Sequence, residues 1–218
     1  MNQVENISFI QRAFEQGGPV MYVIAIIGVL TVLLIVERWL ALGSLRINRR
    51  EFNENIFGMI LKGDLKQALA YCDARPAPLT NTVKAGLVAV LNRRPDEEVQ
   101  VAMDAAVLRE TPKLEGWTSF LAVFGNVAVL AGLLGTIVGM IKSFSAVADA
   151  DNATKAIELS KGISHALNCT AFGLIVAITS IISFAYFQMM IQRAENEMME
   201  SSMQMLNLVS ANRDKIRD

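Results

Sequence analysis

Residues 116–141 read GWTSFLAVFGNVAVLAGLLGTIVGMI, a run without one charged side chain. A ~30 Å hydrocarbon core takes ~20 residues of helix, so a stretch this long and apolar reads as a membrane span. Two more stretches qualify. PVMYVIAIIGVLTVLLIV, residues 19–36, is uncharged throughout, and residues 162–191 carry His165 as their only group that charges near neutral pH. The first run is longer than a signal-peptide core and no basic segment immediately precedes it, so it reads as a retained span.

Composition agrees with three spans. Of 218 residues, 53% are hydrophobic and only 19% charged, a balance that leans away from a water-soluble globule. The net charge of −1 supplies no basic field for nucleic acid. One histidine and two distant cysteines, Cys72 and Cys169, build neither a metal-ligand cluster nor a disulfide framework. Gly-rich phosphate loops, nucleophile elbows, zinc-protease signatures and paired carboxylates within a span are all missing. The expectation is an all-α membrane protein that is not an enzyme, with no cofactor and no metal.

Charge sets the topology. Arg38 ends the first span and Arg46, Arg49 and Arg50 follow it, whereas the N-terminal segment carries only Arg12, with Glu5 and Glu15. By the positive-inside rule the N-terminus lies outside and the C-terminus in the cytoplasm. Ile7, Ile10 and Phe14 recur at helical spacing, which predicts an amphipathic outer-face helix over 1–18. Transmembrane helices follow over 19–42, 116–148 and 162–190. A cytoplasmic helical region occupies 43–115, a short external loop 149–161, and a cytoplasmic helical tail 191–218. Ile191, Met198 and Met205 repeat at heptad spacing in that tail, which helix association and ordinary packing explain equally well.

The spans carry polar groups. Small and hydroxyl residues let membrane helices approach and hydrogen-bond, which is the ordinary explanation for most of them. Depth singles out a few. Measured from outer ends near Val147 and Ser160, Thr136 and Thr170 both lie ~15–17 Å deep, close to the midplane. Ser143 lies seven residues from Thr136, on the same face and nearer the outside. Together they predict a hydroxyl ladder lining a pore. His165 is five residues from Thr170, about 140° around the helix, so it faces away from the ladder alongside Asn168, as a titrating or an interface group. Lys142 is near enough to the outer end for its amine to snorkel outwards. Glu37 and Arg38 read as an anchor at the inner interface. Hydroxyls do not carry a proton charge at ordinary pH, and no span holds an Asp or Glu near its midplane, where a proton path wants one. If the spans form an ion path, a partner supplies that group.

AGLLGTIVGMIKSF, residues 131–144, and GISHALNCTAFGLIVAI, residues 162–178, resemble the second- and third-span signatures of the MotA/TolQ/ExbB proton channel family. GGPVMYVIAIIGVLTVLLIVERWLAL looks like the family's first span, and KGDLKQALAYCDARPAPLTNTVKAGL is similar to its cytoplasmic helices. The resemblance runs in order along nearly the whole chain and is closer to the ExbB/TolQ branch than to flagellar MotA. It implies a homopentamer in the bacterial inner membrane, with the second and third spans around a central pore. It also implies an ExbD/TolR-like single-span partner whose Asp supplies the missing acid, and beyond it a TonB/TolA-like or motility partner. The pore-lining threonines of the family's two signatures match Thr136 and Thr170. The chain departs from the pattern at His165, where ExbB and TolQ commonly have Glu, and at Thr179 and near Val129, where they often have Pro; fewer prolines predict straighter helices.

The function expected is a pore-forming stator subunit of a motor driven by the proton-motive force, coupling ion flow to partner movement and work on the cell envelope. A non-conducting membrane scaffold is the competing class, and a sodium-driven motor of the same architecture differs only in the ion.

Overall fold

The computed structural model describes residues 3–44, 49–149 and 154–212, with side chains from Gly18 onwards except at Ser44 and Asp149. Every regular element among the described residues is an α-helix: α1 (Gln3–Ser44), α2 (Arg49–Leu61), α3 (Leu65–Ala74), α4 (Pro78–Leu91), α5 (Asp96–Glu115), α6 (Thr118–Asp149) and α7 (Lys155–Ala211).

Local chemistry sets the boundaries. α1 is broken at Gly18, whose φ of 55° is a left-handed conformation that only glycine adopts cheaply, and Pro19 follows without an N–H. The Asp64 side chain caps α3 by accepting the Gln67 N–H at 3.0 Å, and Pro78 opens α4 where a missing N–H costs nothing. Asp96, Glu97 and Glu98 begin α5, placing acids at the positive end of its dipole. Gly116, at φ 41°, ends that helix two residues before α6. α7 has no such break: its 57 residues span about 85 Å at 1.5 Å each. The third span and the tail are therefore one continuous helix. The connection expected over 149–161 is shorter than that, because α7 is already helical from Lys155. The backbone of 3–17 is helical; the amphipathic face expected from Ile7, Ile10 and Phe14 lies outside the described side chains, as does Arg46.

The chain divides into two compact units, Met1–Glu37 with Trp117–Ala185, and Arg38–Gly116 with Tyr186–Asp218. In the first, α1, α6 and α7 close around Ile27, Ala128 and Ala177, with Phe124, Val129, Ala131 and Val176 packed against them. Its outward surface is apolar: Val23, Ile26 and Leu33 on α1, Leu130 and Ile137 on α6, and Leu167, Ile175 and Ile182 on α7 are all exposed. A water-soluble monomer rarely shows so continuous an apolar surface. Three helices are long and apolar enough to cross a membrane, and the chain is a multi-pass membrane protein.

In the second unit, α4 packs on α5 and α3, and α2 on α3. The lower part of α7 completes its core. Ile191, Met198 and Met205 are buried. Thr82 donates to Met198 Sδ at 3.4 Å, Asn53 donates to Ser201 Oγ at 3.1 Å, and Arg49 pairs with Glu200. Within the chain, the heptad repeat is thus the packing stripe of this helix on its own unit. Trp39 stacks on Tyr186 with centroids 5.9 Å apart, an exposed aromatic pair of the kind that membrane interfaces favour.

Candidate functional site: the seam between α6 and α7

Small residues bring α6 and α7 into backbone contact. A Cβ added at Gly173 would lie 2.6 Å from the Ala128 carbonyl oxygen and 3.1 Å from Gly132 Cα. One added at Gly135 would meet Cys169 Cβ at 2.5 Å, and one at Gly139 the Ala166 Cβ at 3.1 Å. Gly125 approaches Ser180 in the same way. These contacts fix an antiparallel register in which Gly125, Gly132, Gly135 and Gly139 face Ser180, Gly173, Cys169 and Ala166. Thr136 and Thr170 are then ~2 Å apart in depth, less than a helical turn.

The register also separates two flanks. In an antiparallel pair, one step towards the C-terminus of either helix turns ~100° to the same side. Thr136 follows Gly135 and Thr170 follows Cys169, so both lie on one flank. His165 precedes Ala166 and Asn168 precedes Cys169, so both lie on the other. α1 covers that second flank, where Gly28 meets Val176 and Gly18 meets His165.

Hydroxyls tie the seam. Thr170 Oγ1 donates across it to the Gly132 carbonyl at 3.1 Å, and Ser180 Oγ to the Leu121 carbonyl at 2.5 Å. Thr136 Oγ1 donates within its own helix to Leu133 O at 2.6 Å. Each threonine has spent its one donor on the backbone and keeps lone pairs that can accept from water or from a protonated acid. Ser143 behaves differently from the expected ladder. Its hydroxyl donates to Gly139 O at 3.0 Å, and the residue is 3% exposed in the hollow left by Gly162. It therefore packs the seam rather than opening to a lumen. The seven-residue spacing puts it in line with Thr136, but the missing Cβ of the facing helix draws it inwards.

On the α1 flank the His165 ring fills the space beside Gly18 and Gly139. Its Nδ1 is buried and, among the described residues, has no hydrogen-bond partner. Beside it lies an open cleft of about 540 Å³ lined by Lys142, Ser143, Glu158 and Lys161; Lys161 pairs with Glu158 at 2.7 Å. Lys142 is exposed and Asn168 half-buried. Glu37, towards the C-terminal end of α1, is exposed. Arg38, expected with Glu37 as an inner-interface anchor, is buried. It is 6% exposed, with its guanidinium lying over Gly116 in the second unit. The bare α-carbon at Gly116 makes the room. Ser180 and the Gly132–Gly173 contact help to bind the seam, yet from sequence they are ordinary members of a small-residue set.

Residues 74–200 match the model of the MotA/TolQ/ExbB proton channel family, a stretch that includes Thr136, Thr170 and the whole seam. The Tol-Pal system protein TolQ of Pseudomonas aeruginosa is 41% identical over 91 residues, which is 42% of this chain and 39% of that protein. The biopolymer transport protein ExbB of Pseudomonas putida is 30% identical over 118 residues, 54% of this chain and 36% of that one. A putative ExbB homolog from Methanothermobacter thermautotrophicus is 29% identical over 178 residues, 79% of this chain and 61% of its own length. The chain thus spans less than two thirds of the length of each of these relatives.

Proposed function

Because the chain belongs to the MotA/TolQ/ExbB proton channel family, we propose that it is the pore-forming subunit of an inner-membrane motor driven by the proton-motive force. Five copies surround a lumen, with the N-terminus of each in the periplasm and its C-terminus in the cytoplasm. The observation that carries this reading is the pair Thr136 and Thr170, level with one another on the flank of the α6–α7 seam that α1 leaves uncovered. An ExbD/TolR-like partner passes its single span through the lumen and brings the Asp that this chain lacks in its spans. The threonine lone pairs accept from that acid when it is protonated, or from the water that hydrates it, so protonation is coupled to the position of the partner helix. Motion of that helix then does work on the cell envelope through a TonB/TolA-like or motility component.

The test is the Thr136→Ala/Thr170→Ala double variant, assayed for envelope work in cells and for assembly by native mass spectrometry. Work should fall while the five-copy assembly survives. Full work in the double variant contradicts the lumen assignment. Loss of the assembly assigns the threonines to packing instead.

A further inference from the structure

One polar side chain of the spans has no role in the account so far. Asn126 is exposed in a part of α6 where Val123, Val127 and Leu130 are exposed as well. Among the described residues its carboxamide has no hydrogen-bond partner. Trp117, 58% exposed, marks the inner interface by the usual preference of indole for that depth. Asn126 is nine residues further along, ~13 Å along the helix, and since the interfacial layer takes up roughly half of that rise, it lies ~6 Å inside the ~30 Å hydrocarbon. A carboxamide facing lipid there leaves two donors and an acceptor unmet, which hydrocarbon tolerates poorly. Water or another polar group meets it at lower cost.

The register says on which side. Asn126 follows the seam residue Gly125 by one position, as Thr136 follows Gly135 and Thr170 follows Cys169. It therefore lies on their flank, away from α1, about ten residues nearer the cytoplasm, or ~15 Å. Leu130, Leu133, Leu174 and Ile178 occupy the flank between the two levels, and all are exposed.

We propose that Asn126 lines the same lumen as Thr136 and Thr170 and orders water on its cytoplasmic side, giving the ion a hydrated exit past an otherwise apolar stretch. The inference rests on the lumen reading above. A carboxamide suits the task because it both donates and accepts, and binds water without trapping charge.

Single-cysteine labelling of the complete complex in membrane vesicles tests it, with a membrane-impermeant cationic thiol reagent supplied on both faces. The resident Cys72 and Cys169 are buried, so the parent protein gives a silent background. Asn126→Cys should label within a few-fold of the Thr136→Cys rate, and Leu33→Cys, on the exposed face of α1, should stay unlabelled. Labelling of Thr136→Cys without Asn126→Cys overturns the inference and leaves the lumen standing. So does an Asn126→Cys that forms a disulfide with a second copy and does not label, since that marks a dry contact between copies. Silence at Thr136→Cys and Thr170→Cys as well removes the lumen and the inference together. Asn126→Asp gives an independent readout. Ion flux should acquire a pH dependence absent from Asn126→Ser, and an unchanged pH profile counts against a place in the lumen.

Discussion

A Cβ added at Gly173 would come nearer to the backbone of the facing helix than one at the other described glycines of the seam, so Gly173→Ala tests the seam directly. The added Cβ would sit 2.6 Å from the Ala128 carbonyl oxygen. Carbon and carbonyl oxygen rest at about 3.3 Å, so the helices must part locally by about 0.7 Å, the difference between those distances. The bond from Thr170 to Gly132, now 3.1 Å, would stretch to about 3.8 Å and cease to be a hydrogen bond. Overpacking costs roughly 1–3 kcal/mol and the lost hydrogen bond roughly 0.5–1.5 kcal/mol. Alanine returns about 0.5–1 kcal/mol of helix preference. The net is about 2 kcal/mol, or roughly 30-fold in the unfolding equilibrium. The assay is reversible unfolding in mixed micelles against rising denaturing detergent. Gly43→Ala is the control, because nothing lies within 4 Å of a Cβ added there. The Gly173 variant should unfold at distinctly lower detergent, and the control at or slightly above the parent's midpoint, because at Gly43 the helix preference of alanine acts unopposed. Equal midpoints for both variants would refute the backbone contact on which the register, and so both flanks, depend.

Gly116→Ala should destabilise the unit that holds it, Arg38–Gly116 with Tyr186–Asp218, by about 2 kcal/mol, read as a lower melting midpoint. The new Cβ collides with the Arg38 guanidinium, and φ 41° is a conformation that costs an L-residue ~1–2 kcal/mol. Burial pushes the Cys72 thiol up to about 12 from its usual 9.0, with the neighbouring Asp73 adding to the effect. It should therefore resist disulfide reagents at pH 8 until the protein is unfolded. The neutral thiol is favoured by the folded state, so its stabilising contribution is complete below pH 9.0 and declines as pH rises towards 12. An alkaline unfolding series of the parent against Cys72→Ala checks the sign, and a parent whose stability rises over that window contradicts it.

The three apolar helices and the helices between the first two of them are legible in the sequence because lipid and a 3.6-residue period each impose a pattern on one chain at a time. The common depth of Thr136 and Thr170 is legible for the same reason: it needs only the rise per residue and a guess at where the spans emerge. What the facing helix lacks is not legible that way. Ser143 turns into the seam because residue 162 has no side chain, and Arg38 is buried because residue 116 has none. Both depend on residues distant in sequence, and charge or spacing along one segment carries no trace of them. The extent of α7 is a third case. Its sequence changes from apolar to charged near Gln192, which reads as the end of a span, yet no Pro or Gly follows to end the helix, and it continues unbroken.

Partner-dependent proton flux tests the central claim most directly. The chain is reconstituted into vesicles carrying an internal pH dye, with and without the single-span partner proposed above, and an imposed potential drives the ion. The account predicts flux only when the partner is present, abolished by replacing the partner's membrane Asp with Asn and reduced at least several-fold by Thr136→Ala/Thr170→Ala. Partner-dependent flux that is unchanged in the double alanine variant, or no flux from an intact and active complex, contradicts it.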